Sequence, residues 1–129
     1  MRHFPLLLLP VLLLHGLALG LPEGTNTVLA SFALPSGGTL ALRWYEALLV
    51  VGVAMLYGEV LKSTFAGASS VLDHGLSLLL FVVLLLELLL APFGADPGFL
   101  LLTLLCLFDV ISGFTVAIAV ARRDVGIIR

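Results

Sequence analysis

The chain has 129 residues, of which 61% are hydrophobic and 11% are charged, and its mean hydropathy is +1.26. Soluble domains are about 45–50% apolar and about 25% charged. A soluble domain of this size buries only about two-thirds of its surface and could not hide so much apolar area. The composition therefore excludes a soluble enzyme and a disordered chain, and it predicts a membrane protein. The net charge of −2 provides no basic surface, which excludes a nucleic-acid binder.

Four apolar stretches come close to the ~20 residues that a helix needs to cross a bilayer. They cover residues 4–21, 42–61, 74–91 and 99–121. A segment that crosses lipid must satisfy its own backbone hydrogen bonds, which favours helices over open strands. The sequence therefore predicts an all-α, polytopic membrane protein, with a bundle of four transmembrane helices forming a single transmembrane helical domain over residues 1–129.

The first stretch also has a second interpretation. Arg2, the apolar run after it and the small residues Ala18 and Gly20 together resemble a secretory signal peptide. The apolar run is long for such a signal and is interrupted by Pro10 and His15. We therefore expect it to be retained as a span, while cleavage of residues 1–20 stays an open alternative.

The basic residues near the ends of the spans predict the orientation. Five of the six fall on one side of a four-span topology: Arg2, Lys62, Arg122, Arg123 and Arg129. Arg43 alone falls on the other side. Because an excess of Lys and Arg marks the cytoplasmic side, we expect both termini to be cytoplasmic.

Aromatic and basic residues at the span ends are the predicted membrane-interface anchors. Trp44 and Tyr45 stand at the outer end of the second span, and Arg122 and Arg123 stand at the inner end of the fourth. The predicted outer loop, residues 22–41, has Glu23 as its only charged residue. So apolar a loop is expected to form a short interfacial helix on the membrane surface or against a partner.

Small residues at four-residue spacing predict where helices pack closely in a membrane. Gly113, Ala117 and Ala121 form such a series in the fourth span, and Ala54 and Gly58 form one in the second. The third span is nearly a leucine tract, which suits contact with lipid or with a broad partner surface.

Four titratable side chains in the spans are the candidate functional residues: His15, Glu46, Glu87 and Asp109. A charge at the bilayer centre costs roughly 3 kcal/mol, so such groups are protonated, paired or lining a polar cavity. At ~1.5 Å per residue, three of them fall in the outer half of the membrane and Asp109 falls near the midplane. They form either one polar site that handles protons or cations, or separate interhelical contacts.

A metal site made by the same groups is a weaker alternative, because the Glu-x-x-His pairs of di-iron bundles are absent. At the inner ends of the spans, Glu59 and Lys62 are three residues apart and are predicted to pair on the helix surface. Asp109 shares a side of its helix with Gly113 and is expected to face the bundle.

The sequence has no nucleophile elbow, phosphate-binding loop or Cys-x-x-Cys motif, so we predict no enzyme activity, no cofactor and no metal. The expected function is a small integral membrane accessory or structural subunit that docks in the bilayer against a larger membrane protein complex or itself. The alternative is a small proton-coupled transporter or ion-conducting oligomer that uses the intramembrane carboxylates. The expected location is a bacterial cytoplasmic membrane.

Overall fold

The computed structural model describes residues 4–20, 26–65, 71–92 and 96–128. In chain order it contains α1 (Leu8–Gly20), β1 (Val28–Ala33), β2 (Thr39–Arg43), α2 (Trp44–Phe65), α3 (Val71–Leu90) and α4 (Pro97–Ile128). Some residues used in the sequence predictions lie outside the described part of the chain: Arg2 of the signal-like start, Glu23 of the outer loop, and Arg129.

Three of the helices are long and apolar enough to cross a membrane. They are Trp44–Phe65, Leu72–Leu90 and Pro97–Arg123, with 22, 19 and 27 residues. At ~1.5 Å per residue each of them reaches about 28 Å or more, close to the ~30 Å of a hydrocarbon core. The prediction of a helical, membrane-embedded chain is therefore confirmed.

The first predicted span, over residues 4–21, is corrected to a shorter helix. α1 has 13 residues, or about 20 Å of helix. Pro10 has no N–H to donate to the carbonyl of Leu6, so the regular helical bond is missing there. The chain before α1 instead forms tighter turns, in which Leu8 N–H donates to Pro5 O at 3.0 Å and Leu9 N–H donates to Leu6 O at 3.1 Å.

α4 is the central helix, because it packs most extensively against both α2 and α3. The buried apolar core brings together side chains of α1, α3 and α4 and of the turn that precedes α1: Leu7, Val11, Leu80, Leu84, Phe99, Leu102 and Cys106. The core is narrow. Most of the remaining apolar side chains of the spans face outward, as expected where lipid rather than water surrounds the helices.

The two ends of the bundle are named here after residues of α2. At the Trp44 end α2 and α4 begin, and Tyr45 packs against Gly98. At the Lys62 end α2 finishes, and Lys62 Nζ donates to the carbonyl of Phe4 at 3.2 Å. α1 therefore begins at the Lys62 end and runs towards the Trp44 end, antiparallel to α2.

The predicted outer loop folds as a β-hairpin and not as an interfacial helix. β1 and β2 pair antiparallel, and Gly37 N–H donates to Leu34 O at 3.0 Å across the turn. Pro35 suits the second position of such a turn, and Gly37 adopts a φ of 86°, which side chains disfavour. A glycine-containing turn between two short apolar runs therefore selected a hairpin over a helix.

Candidate functional site

The titratable groups inside the bundle lie at two levels, whereas the buried Thr103 hydroxyl between these levels donates to the carbonyl of Phe99 in its own helix. The first level, which we call the Lys62 layer, consists of Glu59 and Lys62 on α2, Ser77 on α3 and Asp109 on α4. Glu59 and Asp109 are each only 6% exposed. Every buried side-chain nitrogen or oxygen in the described part of the chain has a hydrogen-bond partner, so this layer is satisfied from within the molecule.

Glu59 and Lys62 together hold the start of α1. Lys62 Nζ lies 3.5 Å from Glu59 Oε2, so the predicted pair forms, but Glu59 is buried in the bundle and does not lie on the helix surface. Glu59 Oε1 also accepts a hydrogen bond from the backbone N–H of Leu6. Leu6 precedes α1 by two residues, so the buried carboxyl group of Glu59 fixes the turn that leads into the helix.

Asp109 joins the same layer from α4. Its carboxyl group hydrogen-bonds with the Ser77 hydroxyl and lies close enough to Glu59 and Lys62 to interact with both electrostatically. The sequence had placed Asp109 near the midplane, with the outer-half groups. α4 begins at Pro97, however, so Asp109 lies about 18 Å along the helix, past the middle of a bilayer core and nearer the Lys62 end.

The second level is the His15–Glu87 pair, towards the Trp44 end. His15 Nε2 lies 3.0 Å from Glu87 Oε2, and His15 Nδ1 lies 2.8 Å from the carbonyl oxygen of Val11. The edge of the imidazole meets Phe99, with ring centroids 6.4 Å apart.

The hydrogen bonds of His15 define the protonation of the pair. A carbonyl oxygen only accepts, so Nδ1 carries a hydrogen and donates it to Val11. The contact between Nε2 and Glu87 then needs one further proton, which resides on the imidazole or on the carboxyl group. The His15–Glu87 pair therefore shares a single proton and is either an ion pair or a neutral hydrogen bond.

An apolar layer separates the two polar levels on three helices. It contains Leu7 just before α1, Val11 on α1, Leu80 and Leu84 on α3, and Leu102 and Cys106 on α4. Along the first segment they lie between Leu6, which contacts Glu59, and His15. On α3 they lie between Ser77 and Glu87. On α4 they lie between Phe99, which contacts His15, and Asp109. Buried hydrocarbon thus separates Asp109 from the His15–Glu87 pair, although the sequence had considered them together as one possible site.

Glu46 lies apart from both levels, in the first turn of α2. Its Oε2 accepts a hydrogen bond from the backbone N–H of Arg43 at 2.9 Å, where the chain passes from β2 into the helix. This contact is one half of a capping box, and a carboxylate at this position also suits the positive end of the helix dipole. Glu46 therefore stabilises the start of α2.

The predicted small-residue positions divide between the inside and the outside of the bundle. A Cβ on Gly113 would lie 2.8 Å from His74 Nδ1, so α3 and α4 approach closely there. Gly58 similarly faces Leu6. Ala54 and Ala121 are exposed on the outer faces of α2 and α4, and Ala117 is half-buried.

Two further close approaches were missed by the sequence analysis. Gly52 lies against Leu105 and Gly98 lies against Tyr45, and a Cβ at either glycine would come within 3.0 Å of that side chain. Neither glycine has a small residue four positions away within its own helix, so the spacing rule gave no signal. Tyr45, predicted as an interface anchor, therefore also packs within the bundle.

The other predicted anchors lie near the helix ends. Trp44 is half-buried at the first residue of α2, and Arg122 and Arg123 are exposed close to the end of α4. Among the described residues, no group of three or more His, Cys, Asp or Glu side chains is placed to hold a metal ion.

The fold and these polar levels define the class of the molecule as a small helical membrane protein. Comparisons of the chain with models of known protein families, with curated proteins and with solved structures found no match.

Proposed function

We propose that the chain is a small integral membrane accessory or structural subunit, which docks in the bilayer against a larger membrane protein complex or against itself. The observation that supports this most is how little of each span the molecule covers. Within an apolar stretch of 18 residues in each helix, only 17% is buried in α2, 11% in α3 and 22% in α4. The rest is available to lipid or to neighbouring membrane helices.

The α2–α4 side of the molecule is the proposed docking face. A shallow apolar groove there is lined mainly by Leu56 and Val60 of α2 and by Phe108, Ile111 and Thr115 of α4. Grooves between helices accept the side-chain ridges of a third helix. The small side chains of Ser112 and Thr115 line the same groove and would let a partner backbone come close.

The intramembrane acids support a structural role. Glu59 and Asp109 contact groups of the same chain, and Glu87 contacts His15. These contacts link α1 to α2, α3 to α4 and α1 to α3. Polar groups used in this way fix the arrangement of helices within a bilayer, where hydrophobic burial gives little drive for association.

The proposed setting is a bacterial cytoplasmic membrane with the Lys62 end on the cytoplasmic side. Lys62, Arg122 and Arg123 lie at or beyond that end, whereas Arg43 lies at the Trp44 end. The chain before α1 also lies at the Lys62 end, where Lys62 Nζ donates to the carbonyl of Phe4, and α4 finishes at the same end. We therefore propose that both termini are cytoplasmic.

The test is to extract the chain from its native membrane in polymer nanodiscs and measure the mass of the particle's protein content. We expect a stoichiometric complex heavier than the 13.7 kDa chain. A Thr115→Trp variant should lose the partner, because the larger side chain would fill the groove. Leu79→Trp on the exposed face of α3 is the matched control and should retain it. A chain that is isolated alone would contradict the proposal.

The alternative function is proton-coupled transport or ion conduction by an oligomer. The observation that favours it is the Lys62 layer, where two buried carboxyl groups lie near one ammonium group. The apolar layer is the obstacle, since a proton path through the chain would have to cross it. In proteoliposomes, a transporter would show proton flux that Asp109→Asn abolishes and Glu46→Gln preserves. We expect no flux from either variant or from the unmodified chain.

A further inference from the structure

The two faces of the β-hairpin differ in the size of their side chains. Successive residues of a strand point to opposite faces. The pairs Ala30↔Leu42 and Phe32↔Leu40 therefore share one face, which we call the bulky face. The pairs Ser31↔Ala41 and Ala33↔Thr39 share the other, which we call the small face.

The bulky face is left largely open by the rest of the described chain. Phe32 is 52% exposed and Leu40 is 50% exposed. Ala30 and Leu42, the pair nearer to α2, are half-buried. No residue from 27 to 42 carries a charge, so nothing on the hairpin matches a highly charged partner or favours projection into water.

The hairpin is joined directly to a membrane span. β2 ends at Arg43 and α2 begins at Trp44, with no residue between them. Trp44 N–H also donates to the carbonyl of Thr27 at 3.2 Å, which ties the base of the hairpin to the first residue of the span. The hairpin base is thus held at the depth where Trp, Tyr and Arg meet lipid headgroups.

Backbone hydrogen bonding limits how deep the hairpin can go. The sheet has two strands, so each strand pairs along one edge only. An open sheet edge is not tolerated in the hydrocarbon core, where no water is present to satisfy it. At the headgroup level water reaches both edges while apolar side chains still reach the acyl chains.

We propose that the hairpin binds a lipid surface: it lies along the bilayer at the Trp44 end, with the bulky face in the headgroup–acyl boundary and the small face towards water. The burial of Phe32, Leu40 and Leu42 in the boundary stabilises an otherwise marginal two-stranded sheet. This surface role belongs to the hairpin itself and does not depend on the docking function proposed above.

Spin labels on opposite faces of one strand test the proposal. In a Cys106→Ala background, Phe32→Cys and Ser31→Cys are labelled separately with a nitroxide and reconstituted into phosphatidylcholine–phosphatidylglycerol vesicles. Accessibility to oxygen, which partitions into lipid, is compared with accessibility to a water-soluble nickel chelate. We expect the oxygen-to-nickel ratio to be severalfold higher at position 32 than at position 31.

A second pair on β2, Leu40→Cys and Thr39→Cys, should show the same contrast and guards against a local effect of one label. Equal, high accessibility to nickel at both faces would overturn the proposal, because the hairpin would then stand in water. Shielding of position 32 from both reagents, with spin–spin broadening that disappears on dilution with unlabelled chain, would also overturn it. That result would show a second copy covering the face.

Discussion

The contact between His15 and Glu87 fixes the position of α1 against α3. His15 is held by Val11 within its own helix, so its ring has little freedom before it meets the carboxyl group of Glu87. Interhelical hydrogen bonds in membranes are worth about 0.6 kcal/mol on average, with larger values to about 1.7. A preoriented imidazole places this pair in the upper part of that range.

A double-mutant cycle measures that contact. We expect His15→Ala and Glu87→Ala to show a coupling free energy of about 1 kcal/mol, from unfolding titrations in mixed micelles. The pair His15→Ala and Glu46→Ala is the control, because Glu46 caps α2 elsewhere and the two effects should add. No coupling between His15 and Glu87 would show that the contact contributes nothing to the fold.

The hydrogen bond that the Leu6 N–H donates to Glu59 leads to a second prediction for single residues. Glu59→Leu removes the acceptor and leaves the partly buried N–H of Leu6 without this partner, which costs about 1 kcal/mol, the low end of the range for such losses. We expect faster hydrogen exchange of the Leu6 amide, measured by mass spectrometry or NMR. Glu59→Gln keeps an acceptor oxygen and should exchange nearly as slowly as the unmodified chain. Unchanged exchange in Glu59→Leu would contradict the assigned contact.

At the scale of elements, α3 and α4 come together where Gly113 faces His74, whose ring stacks on Phe114 with centroids 5.2 Å apart. Gly113→Ala would place a methyl group against the ring and force it to move, at a cost of about 1–3 kcal/mol. Gly75→Ala on α3 is the matched control, since its Cβ would meet nothing within 4 Å. Because alanine favours helix, the control should be neutral or stabilising by up to ~1 kcal/mol. Equal thermal stabilities would contradict the close approach.

The hairpin turn gives the second element-scale prediction. Gly37→Ala places a side chain at a positive φ, which costs about 1–2 kcal/mol. Gly38→Ala is the control, because Gly38 is not in that conformation. We expect faster exchange of the Leu34 amide, which donates to Gly38 O, in the Gly37 variant alone. The bundle should be unaffected, and a loss of overall stability would argue that the hairpin packs more tightly than described.

At the scale of the whole molecule, two polar levels and the apolar layer between them explain how so small a chain orders its helices in lipid. Lipid contacts do not distinguish one helix arrangement from another. The Lys62 layer and the His15–Glu87 pair do, because each of them requires particular helices to meet at a particular depth. The outward surface stays almost wholly apolar and free for other contacts.

Much of the helical architecture could be predicted from the sequence. The apolar runs of α2, α3 and α4 are long, and hydrocarbon permits little else for such runs. The hairpin was missed because residues 28–42 were interpreted by their lack of charge. The turn residues Pro35 and Gly37, which separate two short apolar runs, were the available signal.

The polar contacts were only partly predictable, for a physical reason. Glu59 and Lys62 lie on one helix, so helical spacing alone brings them together. The Leu6 contact involves a backbone N–H, which has no sequence signature. The depth of Asp109 depended on where α4 begins, and helix ends are the least certain part of such an estimate. Contacts between helices also require their register, which a single sequence does not contain.

The central claim is that α2 crosses the bilayer, which places the hairpin and the Lys62 end on opposite sides. The most direct test is labelling of Ser36→Cys and Thr64→Cys, in a Cys106→Ala background, with a membrane-impermeant maleimide. In intact cells we predict labelling at position 36, with labelling at position 64 only after the membrane is permeabilised. Labelling of both positions from the same side of a sealed membrane would contradict the account.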